Sequence, residues 1–268
     1  MIPNVLSIAG SDPSGGAGVQ ADLKTFGALG AYGMAVLTAL TAQSTVGVAA
    51  VHPVPAGFVA EQLDALFADV RVDAVKTGML GSAAVVDAVA EALRRYRLPA
   101  VVVDPVMVST SGSRLLDADA VDAVRERLLP LADLVTPNLA EAAVLLGSPT
   151  ARTVAEMREQ AEALSAVCGS RRVLLKGGHL DDAGRAVDVL AEGTRTVELT
   201  APRVATANTH GTGCTLSSAV AARVAAGAGW ADAVRAAKSY LTGALRAAAG
   251  LEVGRGAGPV DHFYRTRA

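Results

Sequence analysis

The sequence predicts an α/β domain with a mostly parallel sheet and helices on both faces. Three observations carry that expectation. Short β-branched runs alternate along the chain with longer segments of helical periodicity, the pattern that builds parallel sheets. Ala100-Val-Val-Val-Asp104 is apolar until an acid at its carboxyl end, as in a strand buried on both faces. The Gly- and Ser-rich turns fall at the ends of such runs, where open α/β sheets place their ligands.

Asn4–Ala9 reads as the first strand. Val19, Leu23, Phe26 and Leu29 then share one helical face, at spacings of four, three and three. Tyr32–Ala39 reads as a second strand, Phe58–Val70 as a helix, Ala74–Thr77 as a short strand and Ala83–Tyr96 as a helix. After the Ala100–Asp104 strand come a helix over Ala118–Leu128 and a strand over Asp133–Thr136. Thr153-Val-Ala-Glu156 is a capping box that opens a helix to Val167. Arg172–Lys176 is another strand, and Ala186–Ala191 with Thr194–Leu199 forms a hairpin around Glu192-Gly193. Two helices, Gly211–Ala226 and Ala231–Ala248, close the chain before a polar tail. No internal repeat or linker divides it, so residues 1–268 read as a single domain.

Composition narrows the function. The chain has 268 residues, enough to bury a large core, and a net charge of −2 with 3% aromatics. A nucleic-acid or membrane-surface binder needs a basic stripe, and single strands need stacking platforms; neither expectation is met. With 51% hydrophobic and 19% charged residues the chain is not disordered. Cys168 and Cys214 form no disulfide framework and fit a reducing cytosol. No basic residue precedes Lys24, so a signal peptide would lack its charged region. No apolar run reaches the roughly 18 residues of a membrane span. The expected location is the cytoplasm.

Gly10-Ser-Asp-Pro-Ser-Gly-Gly-Ala-Gly18 follows the first strand and opens a helix. A dinucleotide site would need an acid about 20 residues further on. The first acid after Asp22 is Glu61, so that reading fails. What remains is a tight turn or a backbone cradle for a small ligand, and the density of Gly and Ser favours the cradle. Asp22 lies one turn into the helix, either as a surface acid near a helix N-terminus or as a carboxylate for ligand amines. Gln43, in Thr41-Ala-Gln-Ser-Thr45, carries an amide that both donates and accepts, as a heterocycle edge requires.

The chain lacks a Gly-Lys dipeptide and so any P-loop. Asn208-Thr-His-Gly-Thr-Gly-Cys214 instead runs into an Ala-rich helix, whose free N–H groups and dipole suit an anion. Cys214 in the first turn would have a lowered thiol pKa. Asn138 and Glu141 form a capping pair, and a carboxylate there can also hold metal-bound waters. Asp104, ending the apolar strand, is the natural second acid, because an idle acid there would be costly to bury. Lys176-Gly-Gly-His179 places a lysine at a strand end, where it can reach phosphates or snorkel to solvent. The four histidines have no zinc spacing, and no Gly-x-Ser-x-Gly elbow occurs.

Seven ordered segments together resemble the ribokinase-like superfamily, and within it the hydroxymethylpyrimidine/phosphomethylpyrimidine kinases of thiamine biosynthesis. They are residues 9–18, Gln20-Ala-Asp-Leu-Lys-Thr25, Lys76-Thr-Gly-Met-Leu80, Asp104-Pro-Val-Met107, Thr136-Pro-Asn-Leu-Ala-Glu141, Lys176-Gly-Gly-His179 and residues 208–215. The resemblance implies two successive ATP-dependent phosphorylations, of 4-amino-5-hydroxymethyl-2-methylpyrimidine and then of its monophosphate. It implies that Asp22 and Gln43 hold the aminopyrimidine while Gly10, Ala17, Met79 and Val106 pack around the ring. Gly211, Gly213 and Cys214 would form the anion hole, and Lys176, Thr212 and Asn138 would contact ATP. Asp104 and Glu141 would organise Mg²⁺. Cys214 stands where the wider superfamily usually has an Asp base, a feature shared with the pyrimidine kinases. A mobile flap is expected over Val108–Arg114. Pyridoxal is the implied side substrate, and a homodimer the implied assembly. A non-catalytic vitamer-binding regulator on this fold would lack the anion hole or the metal acids, and both are present.

Overall fold

The structure is a computed structural model, and it describes residues 1–107, 119–178, 180, 184–193 and 195–267. The strands are β1 (Asn4–Ala9), β2 (Tyr32–Leu37), β3 (Ala39–Ser44), β4 (Gly47–Pro53), β5 (Ala74–Thr77), β6 (Val101–Val103), β7 (Leu134–Val135), β8 (Arg172–Lys176), β9 (Arg185–Glu192) and β10 (Arg195–Pro202). The helices are α1 (Gly18–Ala28), α2 (Ala56–Asp69), α3 (Ala83–Tyr96), α4 (Ala120–Ala123), α5 (Leu139–Leu146), α6 (Val154–Cys168), α7 (Thr212–Ala225) and α8 (Trp230–Ala247).

Eight strands form one sheet in the order β10-β9-β8-β7-β6-β5-β1-β2. Pairing is parallel from β2 to β8 and antiparallel through β9 and β10. The strands alternate their side chains between two layers. Leu6, Ile8, Val75, Val101, Val103, Val173 and Leu175 face one core, built with α2 to α6. Val5, Ala74, Val102, Leu134, Leu174 and Leu190 face the other, built with α1, α7 and α8. The expected mostly parallel sheet with helices on both faces is the fold observed.

Two features depart from the sequence reading. The stretch read as one strand to Ala39 ends at Leu37, and the chain re-enters as the antiparallel hairpin β3–β4, apart from the main sheet. The helix expected from Ala118 is described from Ala120; after Ala123 it widens into a π-helical turn, Val124–Leu128. Pro130 follows at once; it has no N–H and crowds the carbonyl four residues back, which favours such widening. The Asn138–Glu141 capping box forms in full. At α6, Thr153 caps Glu156 N–H, but the Glu156 carboxylate takes the N–H of Arg152 in place of Thr153. The expected flap over Val108–Arg114 lies outside the described residues.

A buried hydroxyl is among the groups that hold the tail. Tyr240, 1% exposed, donates from its OH to the His262 carbonyl at 2.6 Å. Tyr240→Phe strands that acceptor and should cost roughly 1–3 kcal/mol of unfolding free energy. A denaturant titration with an unchanged midpoint would contradict this.

Candidate active site

On the α7 side of the sheet the apolar alternation gives way to polar residues at one end. Ser7, Lys76, Asp104, Thr136, Lys176 and Asp188 stand two residues from the core positions Val5, Ala74, Val102, Leu134, Leu174 and Leu190. Ser7 lies beside Lys76 in register, and Lys176 beside Asp188. All but Lys176 are buried, and the N-termini of α1 and α7 close over this row.

The Gly-rich loop after β1 is organised by a residue that the sequence reading did not single out. Asp12, 1% exposed, accepts Ser14 N–H (2.9 Å) and hydroxyl (2.7 Å) on one oxygen. Its other oxygen accepts Gly16 N–H (3.1 Å) and Ala17 N–H (2.8 Å) and faces His210 Nε2 (2.7 Å). Burial alone would raise its pKa; the bonds from His210, Ser14 and Ala17 outweigh that and hold it down at about 2. The cradle's N–H groups at Ser14, Gly16 and Ala17 are therefore spent on Asp12. An Asp followed two residues on by Ser is the signature of a side-chain turn and could have been read. The loop also interlocks with the start of α7. Gly18 and Gly211 both have positive φ, and a Cβ on either would strike the Gly10 or Gly16 carbonyl.

Asp22, expected to hold the aminopyrimidine, is engaged by groups of the chain itself in this structure. It is fully buried and bonded on both oxygens to Lys76 Nζ at 2.9 Å. The Ser7 and Ser218 hydroxyls donate to it at 2.6 Å each. These four bonds fill the acceptor sites of a carboxylate. Lys76 is likewise 0% exposed. Burial pushes its pKa down, but the charges of Asp22 and Asp104 prevail and raise it, so it is a cation inside the fold.

Lys176 makes the second pair. Its Nζ donates to Asp104 Oδ1 at 2.8 Å, and Asp104 also accepts from Thr136 (3.0 Å) and Ser217 (3.1 Å). Burial would raise the Asp104 pKa, yet Lys176 and Lys76 bring it down. Unlike Lys76, Lys176 keeps 13% of its side chain exposed. Glu141 is 6% exposed and caps α5 through the Asn138 N–H at 2.8 Å. Burial lifts its pKa to about 7, with Asp104 adding to the rise and Lys176 opposing it. A carboxylate so short of positive charge fits a divalent cation. Among the described residues no cluster of three or more His, Cys, Asp or Glu could hold a metal alone. Magnesium needs only one or two carboxylates when it keeps its waters and takes phosphate oxygens, so the pair fits that ion.

α7 begins at Thr212, and its first return bond, Thr215 N–H to the Gly211 carbonyl, spans 2.8 Å. Among the described residues the Gly213 and Cys214 N–H groups have no carbonyl partner, which leaves them for an anion. A Cβ on Gly213 would sit 3.2 Å from Lys176 Nζ, so that cation stands at the mouth of the helix. The lowered thiol pKa expected of a first-turn cysteine is not found. Burial raises it to about 11, and the opposing charge of Lys76 does not compensate.

The remaining predicted contacts lie at several strand ends and helix starts. Gly10 is in contact with Met79, whose carbonyl is held by the Thr38 hydroxyl at 2.6 Å. Ala17 is the N-cap of α1. Val106 and Asp104 line one small cavity with Gly78. Gln43 reaches His210, Nε2 to Nε2, at 3.4 Å. Thr212 is half-buried at the helix start, and the Asn138 carbonyl oxygen is used in the α5 cap. His179 lies outside the described residues.

The phosphomethylpyrimidine kinase family matches residues 12–261 of the chain. The chain is 56% identical over 262 residues to the hydroxymethylpyrimidine/phosphomethylpyrimidine kinase of Escherichia coli K12, with 97% of each covered. A crystal structure of Bacillus subtilis pyridoxal kinase in complex with ADP superposes with a TM-score of 0.91, at 38% identity and 100% of both chains. A phosphomethylpyrimidine kinase structure from Clostridium difficile gives 0.79 at 41% identity, over 90% of this chain and 98% of that one.

The raised Glu141 pKa sets a stability signature. The ordinary value is 4.5 and the folded value about 7. Below the first, both states hold the proton; as pH rises through the second, the folded state must ionise a buried group and stability is lost. Glu141→Gln removes that titration. Its melting temperature should therefore gain on the unsubstituted protein as pH rises through this window. Parallel melting curves across the window would contradict it.

Proposed function

The chain belongs to the phosphomethylpyrimidine kinase family, and we propose how its residues divide that family's chemistry. It is an ATP-dependent kinase of thiamine biosynthesis that converts 4-amino-5-hydroxymethyl-2-methylpyrimidine to its monophosphate and then to the diphosphate. The observation that carries the proposed roles is Lys176 Nζ, paired with Asp104 at 2.8 Å and adjacent to the start of α7, whose Gly213 and Cys214 N–H groups have no carbonyl partner among the described residues.

Phosphoryl transfer asks the protein chiefly for positioning and charge stabilisation. In our reading Lys176 exchanges Asp104 for phosphate oxygens of ATP, as a mobile point charge can. The Gly211, Gly213 and Cys214 backbone forms the anion hole for the transferred group. Thr212 and the Asn138 side-chain amide contact ATP at the helix starts. Asp104 and Glu141 would hold Mg²⁺, and the ion would supply neutralisation of phosphate charge. Gly10, Ala17, Met79 and Val106 pack on the pyrimidine, and Gln43 reads its edge. Asp22 serves as counter-ion to Lys76 and takes no part in substrate binding.

We also propose that residues 1–268 act as one ribokinase-like domain, in the cytoplasm and as a homodimer. Both cysteines are free thiols, and among the described residues no helix is long and apolar enough to cross a membrane. Leu40, Val46 and Val51 expose apolar surface on the β3–β4 hairpin, which supports self-association. A second substrate, pyridoxal, is favoured by the TM-score of 0.91 to a pyridoxal kinase. Steady-state ATP consumption with the pyrimidine alcohol, its monophosphate and pyridoxal tests both readings. No turnover of either pyrimidine would overturn the first, and none of pyridoxal the second.

Cys214 is proposed as the base for the alcohol. With its pKa pushed up to about 11, the reactive thiolate is scarce near neutrality and grows with pH. Single-turnover phosphorylation of the alcohol should rise about tenfold per pH unit below that value. The monophosphate, with a second pKa of about 6, is already a dianion and should show a flat profile from pH ~7 upward. Cys214→Ala should slow the alcohol step by roughly 10²–10⁴-fold and spare the other. Equal losses in both steps, or a flat alcohol profile, would remove Cys214 from that role.

A further inference from the structure

The carboxyl-terminal segment returns to the start of α7 and brackets it on both sides. Before the helix, the His210 N–H donates to the Gly258 carbonyl at 3.0 Å, and His210 pairs with Pro259 in a parallel bridge. The two segments approach so closely that a Cβ on Gly258 would strike the Asn208 side chain. After the first turn of the helix, the His262 ring meets Thr215, with Nε2 at 3.1 Å from Oγ1 across 47 residues of sequence. Between these two contacts lie Gly211, Thr212, Gly213 and Cys214. The last two carry the N–H groups that have no carbonyl partner among the described residues.

Thr215 is fully buried and closes this turn twice on one acceptor. Its N–H and its hydroxyl both reach the Gly211 carbonyl at 2.8 Å. A threonine bonded back to the fourth residue before it is ordinary in a helix. The imidazole added to it is what ties the turn to a distant segment. The hydroxyl has one proton, and the Gly211 carbonyl takes it. His262 Nε2 therefore carries the ring hydrogen and donates it to Thr215 Oγ1, the tautomer that makes both contacts at once. Burial and the nearby Lys24 lower the His262 pKa to about 4, so near neutrality the ring is neutral and has one such hydrogen. Its backbone is anchored on α8. The Tyr240 hydroxyl holds the His262 carbonyl at 2.6 Å, and the Asp261 N–H donates to the Ala244 carbonyl at 3.1 Å. A bonded chain thus runs from α8 through His262 and Thr215 to the Gly211 carbonyl, at the N-cap of α7.

We infer that the segment Gly258–His262 is a positioning element for the anion hole. In it, His262 acts through the Thr215 hydroxyl to hold the Gly211 carbonyl, and with it the direction of the Gly213 and Cys214 N–H groups. The inference rests on the proposed anion hole at those groups. Both side chains are buried, so they act through the turn and not by contact with phosphate. Phosphoryl transfer depends on donors already aimed at the charge that develops. A turn free to shift loses rate before it loses substrate affinity.

The test uses the full chain as His262→Leu, His262→Gln, Thr215→Val and the double variant of His262→Leu with Thr215→Val. Single-turnover rates and KM are measured with the pyrimidine alcohol and with its monophosphate. Affinity for ADP with Mg²⁺ is measured with and without aluminium fluoride, a mimic of the phosphoryl group in transfer. His262→Leu and Thr215→Val should each slow both steps by about 10–100-fold and reduce the gain in ADP affinity that the fluoride brings. The pyrimidine KM should stay within about twofold. His262→Gln, whose amide nitrogen can stand where Nε2 stands, should recover most of the rate. The double variant should be no slower than Thr215→Val, because the two residues act in series. Unchanged rates, a rise in pyrimidine KM in place of the rate loss, losses that multiply, or a folded His262→Gln no faster than His262→Leu would each overturn the inference. If the fluoride brings the unsubstituted protein no gain in ADP affinity, the anion hole itself is wrong and the inference falls with it. A gain that survives intact in Thr215→Val overturns the inference alone. Should His262→Leu fail to fold, Thr215→Val, which deletes only the hydroxyl, decides by rate and fluoride gain.

Discussion

Two lysine–carboxylate pairs hang from strand ends beneath one helix N-terminus, and the rest of the site is arranged around them. Lys76 and Asp22 are sealed, both at 0% exposure, with two serine hydroxyls completing the carboxylate. Lys176 and Asp104 are built alike but keep the lysine partly open. Removing one partner of a sealed pair typically costs about 3–5 kcal/mol, because the other charge is left buried. The sealed pair therefore fixes α1, β5 and α7 to one another, through Asp22, Lys76 and Ser218 respectively. The open pair keeps a cation in place whose second partner can be a phosphate.

This division explains the protonation pattern around Cys214. The thiol is partly buried, with Lys76 on one side and the charges of Asp22 and Asp104 opposing that lysine. Two helix starts, at Gly18 and Thr212, converge on it, yet burial dominates and the thiol stays protonated near neutrality. Glu141 follows the same logic with opposite consequence. It is a carboxylate that burial and Asp104 leave short of positive charge, which makes it receptive to a cation. Magnesium and nucleotide would complete a site that the chain alone leaves electrostatically unbalanced.

Much of this was legible in the sequence because the signals are local. Parallel strands read as apolar runs, Ala100–Asp104 above all, and the Asn138–Glu141 cap is spelled by its three-residue spacing. The hairpin β3–β4 was not, because β4 lies largely exposed off the main sheet and carries no core alternation to read. Asp22 was legible as an acid near a helix start, but its partner Lys76 lies 54 residues away and only the sheet order joins them. His210 was passed over for a different reason. Its spacing excludes zinc, and its bond to Asp12 spans 198 residues. Cys214 shows the limit of a local rule: a first-turn position lowers a thiol pKa only where solvent or a closer cation supports the thiolate.

The division between a sealed and an open pair is tested most directly by a crystal structure of the chain with a non-hydrolysable ATP analogue and the pyrimidine alcohol. The account predicts that Lys176 Nζ moves from Asp104 onto phosphate oxygens at the start of α7, while Lys76 and Asp22 stay joined and apart from the pyrimidine. A structure in which Asp22 bonds the pyrimidine, or in which the phosphates bind without Lys176, would contradict it.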